Sequence, residues 1–308
     1  MLLRKSMAIV AAAGAALVGS IVGTGATVGT GVAQAAPSCP SLYVVAIPGT
    51  WETSDHPSGG ADRGMLLPVT DNLPSSVRVD YVTYPATAFP WEGDVYGASK
   101  RQAVRNGRGM IAAMAKRCPG TRYGIVGYSQ GADAAGDLAA EIGTGTGVVP
   151  PNKVAAVGLI SDPRRSPTDA LVGPPVGGAG ATGPRPGGFG WVSPNVRTIC
   201  APGDLYCAAP QNDFVGRIAG FVVQNSDPGS SDKKGYAPEA APIIGDLTKD
   251  GGLSTLQHQL TEPNNVARGK MFENFLQSGV HQDYRSYAIN GSGESATTWM
   301  HDWFASKA

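Results

Sequence analysis

Short apolar runs separated by helix-patterned stretches set the rhythm of this chain. Leu42–Ile47 is a continuous apolar run that stops at Pro48-Gly49, as a strand buried on both faces and closed by a turn does. Val77–Tyr84 alternates and is stopped by Pro85, which predicts a second strand. Ala98–Lys116 mixes Ala, Met and Ile with Arg and Lys, which predicts an amphipathic helix ended by Pro119-Gly120. Tyr123–Tyr128 predicts a third strand and Gly131–Ile142 a helix stopped by Gly143. Val154–Ile160 predicts a fourth strand, broken at Asp162-Pro163, and Val196–Cys200 a fifth. Strands alternating with helices predict an α/β three-layer sandwich around a central, mostly parallel five-stranded sheet.

The rest of the pattern is less regular. Arg164–Pro194 is dense in Gly and Pro and reads as a loop over the sheet edge. Ala208–Val280 holds one apolar patch, Ile218–Val223, a polar run, Asp227–Gly235, and a helical candidate near Met271–Leu276. In Thr298–Phe304, Trp299, Met300, Trp303 and Phe304 share one helical face, which predicts a docked C-terminal helix contributing to the core.

Composition narrows the classes. Lys+Arg and Asp+Glu are balanced at 24 each and charged residues make up 16%, so nothing supports nucleic-acid binding or a polybasic membrane anchor. Gly, at 43 of 308 residues, implies many turns, while 42% hydrophobic content still allows a sizeable core. No repeat of solenoid length is visible.

The N-terminus reads as an export signal over residues 1–35. Arg4 and Lys5 precede an uncharged stretch from Met7 to Val32, and Ala33-Gln34-Ala35 offers a cleavage site. A retained membrane-spanning helix is the rival reading, weakened by the Gly/Thr-rich second half. Ala36-Pro37-Ser38 makes no lipobox before Cys39. Residues 36–308 then form one domain, and cleavage leaves 22 basic against 24 acidic residues. An even count of four cysteines, Cys39, Cys118, Cys200 and Cys207, favours two disulfides in an exported chain. The short Cys200–Cys207 spacing suits local pairing, which leaves Cys39 with Cys118. No metal spacing is present, since the cysteines lack C-x-x-C and no His lies near either group.

The chemistry concentrates in Gly127-Tyr128-Ser129-Gln130-Gly131, a G-x-S-x-G between a predicted strand and a predicted helix. Small neighbours let the turn lift a serine hydroxyl to a helix N-terminus, where free N–H groups favour developing negative charge. A serine nucleophile needs a base and an orienting acid. The base is one of His56, His258, His281 and His301. The order Ser, acid, His demotes His56. His281 follows a loop entrance and is favoured, with His258 and His301 left open. For the acid, Asp162 ends a strand and is equally a turn residue before Pro163. Asp204, inside Cys200–Cys207, is favoured because a short closed loop would hold a carboxylate rigidly. Gln130 N–H and Thr50, just after the first strand, are the candidate oxyanion donors, with Thr50 otherwise only capping a turn.

These residues resemble the cutinase family of serine esterases, especially the cutinase-like proteins of mycolic-acid-containing actinobacteria. The resemblance rests on Val45-Ala46-Ile47-Pro48-Gly49-Thr50 with Trp51-Glu52, on Gly127–Ala132, on C-x-x-G-D-x-x-C from Cys200 to Cys207, and on His281 with Tyr284. The loop Gly183–Gly188 is a weaker match. It implies an α/β-hydrolase fold, a triad of Ser129, Asp204 and His281, and disulfides Cys39–Cys118 and Cys200–Cys207. One departure stands out: in compact cutinases the His closely follows the second disulfide, whereas here Ala208–Val280 intervenes.

The function expected is hydrolysis of acyl or lipid esters through an acyl-serine, with no metal or organic cofactor. Acyl transfer in the cell envelope with the same triad, and a non-catalytic lipid-binding envelope protein, are the alternatives. The expected partners are the ester substrate and, transiently, envelope lipid, with a monomeric protein. Phe214, Ile218, Phe221, Val222 and Val223 form either a satellite core or a flap that holds an acyl chain.

Overall fold

Alternation along each strand divides the apolar residues between two faces of one sheet. The computed structural model describes residues 38–55, 63–227 and 236–308. The expected export signal and His56 lie outside the described residues. The strands are β1 (Leu42–Ile47), β2 (Val77–Tyr81), β3 (Arg122–Tyr128), β4 (Val154–Ile160) and β5 (Val196–Ile199), in the order β2-β1-β3-β4-β5. Every pairing is parallel. The helices are α1 (Leu67–Thr70), α2 (Tyr96–Arg117), α3 (Gln130–Gly143), α4 (Phe214–Gln224), α5 (Tyr236–Lys249), α6 (Leu253–Gln259), α7 (Glu262–Ser278) and α8 (Ala296–Ala305).

In β1, Tyr43, Val45 and Ile47 join a core with Ala103, Ile111 and Met114 of α2 and Ala135 and Leu138 of α3. The alternate residues Leu42, Val44 and Ala46 join Val69 of α1 and Met300 and Phe304 of α8 on the other face. The aromatic face of the last helix is therefore core at Met300 and Phe304, while Trp299 and Trp303 are half-buried against it. β2 ends three residues before the expected Tyr84. After Val82 N–H bonds Ala46 O at 2.8 Å, the chain turns inward and Tyr84 OH donates to Pro48 O.

The Gly/Pro-rich loop covers the free edge of β5, with Val172 N–H on Thr198 O (2.8 Å) and Thr198 N–H on Ala170 O (3.0 Å). It also sends Arg185 into the interior, where its guanidinium meets Asp162 (2.6 Å) and Asp137 (2.9 Å). Lys100 of α2 bonds Asp137 at 2.6 Å and lies 3.6 Å from Asp133. Gln224, at the end of α4, completes this buried ionic cluster. Its amide donates to Asp133 Oδ2 (2.7 Å) and accepts from Lys100 and from Arg164 (3.0 Å). Gly97 lets that helix end approach, since a Cβ there would stand 2.5 Å from Ser226 O.

Two disulfides close the frame. Cys39–Cys118 staples the residue run before β1 to the end of α2 across a separation of 79 residues. In a chain-entropy model such a loop contributes about 4–5 kcal/mol. Cys200–Cys207 closes a loop directly after β5.

Candidate active site

The tight turn between β3 and α3 exists because two glycines remove atoms that would collide. A Cβ at Gly127 would lie 2.2 Å from Gly131 O, and one at Gly131 would lie 2.0 Å from Ile47 O at the end of β1. Between them Ser129 adopts φ 55° and ψ −124°, a left-handed conformation that costs a non-glycine residue about 1–3 kcal/mol. The strain projects its hydroxyl at the start of α3. Gln130 begins that helix, where backbone N–H groups have no helical acceptor, and its side chain is tied to Thr87 O at 2.9 Å.

The polar side chains meet around one imidazole. His281 sits in a short 3-10 turn, Val280–Gln282, entered through Gly279 at φ 67°. Its Nε2 is 2.9 Å from Ser129 Oγ and its Nδ1 is 3.0 Å from Asp204 Oδ2. Tyr128, the neighbour of Ser129, stacks on the imidazole at 5.1 Å between centroids and donates its hydroxyl to His281 O at 2.7 Å. Tyr206 packs on the imidazole at 4.5 Å. Tyr128, next to Ser129, and Tyr206, two residues after Asp204, thus hold the ring.

Asp204 is fully buried within the Cys200–Cys207 loop. Its Oδ2 also accepts from Ser161 Oγ (2.6 Å) and Tyr284 OH (2.7 Å), and its Oδ1 accepts from Tyr206 N–H (3.0 Å). Burial pushes the carboxyl upward, but the hydrogen bonds and charge of His281, with Ser161 and Tyr284, outweigh it. The net effect holds Asp204 below the usual carboxylate range. Ser161 was not among the residues singled out from sequence. It is buried, has φ 53°, and its Oγ also lies 3.0 Å from His281 Nδ1. No motif marks it: it is a lone serine at the end of β4.

The other candidates lie elsewhere. Asp162 is a turn residue, its carbonyl accepting Arg165 N–H at 3.0 Å, and its carboxylate is engaged by Arg185 and by Arg164 N–H at 2.9 Å. His258 is exposed on α6, and His301 lies on α8. Thr50 follows β1 in a turn fixed by Trp51 N–H on Ala86 O (2.9 Å) and Glu52 N–H on Gly49 O (3.2 Å). That turn is packed against the nucleophile strand, since a Cβ on Gly49 would lie 2.8 Å from the Tyr128 ring. Among the described residues, no three His, Cys, Asp or Glu side chains are grouped as a metal site requires.

Comparison with known proteins shows the family. The cutinase family model matches residues 38–219. The Corynebacterium glutamicum protein named carboxylesterase Culp6 homolog is 35% identical over 207 residues, covering 56% of this chain and 67% of that one. Acetylxylan esterase 2 of Talaromyces purpureogenus is 29% identical over 192 residues, covering 57% and 78%. Among solved structures, the catalytic core of acetyl xylan esterase from Trichoderma reesei aligns with a TM-score of 0.45 at 20% identity, over 66% of this chain and 99% of that one. His281 lies beyond the family match, which runs from the first disulfide cysteine through the Cys200–Cys207 loop into α4. With more than half of its length so matched, the chain belongs to the cutinase family of serine ester hydrolases.

Proposed function

We propose that the protein is an exported esterase that cleaves carboxylic esters through an acyl intermediate on Ser129. The observation that carries this reading is the continuous line from Ser129 Oγ to His281 (2.9 Å) and from His281 to Asp204 (3.0 Å). His281 Nε2 takes the Ser129 proton as Oγ attacks the ester carbonyl carbon. The negative oxygen of the tetrahedral intermediate is received by the N–H groups of Gln130 and Thr50. Collapse breaks the bond to the alcohol oxygen, which leaves with the proton held on Nε2. Water then enters, gives a proton to Nε2 and adds to the acyl carbonyl carbon; the bond from that carbon to Ser129 Oγ breaks, Oγ takes the proton back from Nε2, and the carboxylic acid leaves. Asp204, kept ionised by its four donors, orients the imidazole and stabilises its protonated form.

Removal of residues 1–35 and delivery outside the cytoplasm complete the reading, and two disulfides fit an oxidising compartment. The test is labelling with a fluorophosphonate followed by peptide mapping, alongside hydrolysis of a short acyl ester. The label is expected on Ser129, and Ser129→Ala is expected to remove both labelling and turnover while keeping the circular dichroism spectrum. Adding an alcohol acceptor separates hydrolysis from acyl transfer. Labelling at another serine, or more than a few per cent residual turnover in Ser129→Ala, overturns the assignment.

A further inference from the structure

Strands β3 and β4 end side by side, and the first residue beyond each is a serine in the same backbone conformation. Tyr128 and Ile160 are partners in the parallel register. Ser129 follows the first at φ 55° and Ser161 follows the second at φ 53°. Ser129 N–H donates to Ile160 O (3.0 Å) and Ser161 N–H to Ile199 O (2.9 Å), so the sheet bonding runs on through both. Glycine adopts such a left-handed backbone without steric cost, whereas a residue with a side chain is strained there. At Ser129 the candidate nucleophile accounts for the side chain. At Ser161 the same strain is borne by a fully buried hydroxyl.

That hydroxyl closes a triangle with the other two members of the candidate triad. Ser161 Oγ is 2.6 Å from Asp204 Oδ2 and 3.0 Å from His281 Nδ1, and those two atoms are 3.0 Å apart. The protons can be placed around it. An ionised carboxylate only accepts, so the ring nitrogen facing it, Nδ1, carries a hydrogen and Nε2 is bare towards Ser129. Beside a protonated Nδ1, the single proton of Ser161 goes to Asp204 Oδ2, and an Oγ lone pair faces Nδ1–H. Tyr284 is placed likewise: its oxygen accepts Ala201 N–H (3.0 Å), which turns its own proton to Oδ2 at 2.7 Å. The titratable groups around the Ser161 hydroxyl are thus Asp204, His281 and Tyr284, while the adjacent Asp162 carboxylate is turned to Arg185.

We propose that Ser161 is a positioning residue for ester cleavage. Its hydroxyl braces Asp204 and shares the Nδ1–H of His281, which holds the imidazole in the tautomer that leaves Nε2 as the base. The inference rests on the reading of Ser129, Asp204 and His281 as a triad. Because Ser161 acts through Asp204, its hydroxyl matters only while that carboxylate is present.

The experiment separates the hydroxyl from the backbone. Ser161→Gly and Ser161→Ala both lose the hydroxyl, but only the first relieves the left-handed strain, so Ser161→Gly is expected to melt above Ser161→Ala. With p-nitrophenyl butanoate, kcat is expected to fall about tenfold or more in both variants, with KM within about threefold of wild type. A loss shared by both follows the hydroxyl and not the stability. In an Asp204→Ala background, adding Ser161→Gly is expected to cost less than about twofold. The Nδ1–H proton of His281, assigned in the NMR spectrum by its absence in His281→Gln, is expected to shift in both Ser161 variants without substrate. A fall in kcat under about threefold in the folded variants, an equal fall with Asp204 removed, or an unmoved Nδ1–H resonance overturns the proposal. A wild-type protein that cleaves no ester and takes no fluorophosphonate label fails the Ser129 reading instead. The resonance needs no turnover, so it still decides whether the hydroxyl holds the imidazole.

Discussion

The sandwich and the four helices between Cys207 and His281 are held by different forces. In the sandwich, β1 and most of β3 and β4 are removed from water, and helices α2, α3 and α8 close both faces. In α4 to α7, only Phe214, Gln224, Ile243 and Phe275 are buried, while Leu253 is 75% exposed and Ile244 61%. What ties these helices down is polar. Gln224 enters the ionic cluster, Ser226 Oγ accepts from Gly97 N–H, Arg101 pairs with Asp227, and Arg164 reaches Glu239 at 3.0 Å. Few apolar contacts and directional anchors mark a region of low local stability. The sandwich fixes Ser129 and Asp204, and the looser region hands the chain on to His281.

The sharpest test of that division lies at His281, where the two regions meet. His281→Ala and Asp204→Asn are each expected to lower turnover about 10⁴-fold, whereas His258→Ala and His301→Ala keep most of it. Steady-state kinetics on a short ester decides it, and loss of activity in His258→Ala instead would move the base into the helical region.

The next largest effect separates the anchors. Arg185→Met leaves Asp162 without its guanidinium, and the expected cost is about 3–5 kcal/mol of global stability. Gln224→Leu is expected to cost about 1–3 kcal/mol by stranding the polar groups around Asp133. Hydrogen exchange should then show lost protection in α4 before any change in β1 or β3. Equal loss in both regions would mean that one cooperative unit spans them.

The smallest effect is a pH slope. Burial pushes Asp137 upward, but Lys100, Arg164 and Arg185 outweigh it and hold its carboxyl below the usual range. A depressed carboxyl contributes stability above its unfolded pKa of about 3.9 and loses it as pH falls through the folded value. Urea midpoints of wild type should therefore drop as pH goes below about 4, and Asp137→Asn should be less stable near neutrality with a shallower acid slope. Asp133 works in the opposite sense, since burial outweighs Lys100 and raises it.

The strands and sandwich helices were legible because period-2 and period-3.6 patterns coincide there with burial, as in β1. Helices α5 and α6 were not, and α7 only over Met271–Leu276, because their apolar residues lie largely in water and leave no clean stripe; α7 buries only Phe275. The serine turn was legible through its glycines, and Asp204 through its cysteine loop. Ser161 had no such frame. Arg185 was hidden for another reason. It lies in a Gly/Pro-rich run that resembles surface loop, and it enters the interior only because Gly136 makes room, a Cβ there standing 2.3 Å from the guanidinium. That accommodation joins two segments distant in sequence, and neither segment alone signals it.

The bond between Cys200 and Cys207 carries a consequence for where the chemistry can happen. It spans seven residues and encloses Asp204, so closing it removes about 2 kcal/mol of loop freedom in a chain-entropy model. A newly made chain in a thiol-rich compartment has Ser129, His281 and Asp204 in its sequence but lacks the covalent brace on the third. Oxidation supplies that brace. On the proposed reading of an exported esterase the staple would act as an arming step, and reduction of Cys200–Cys207 is expected to lower turnover of a short ester.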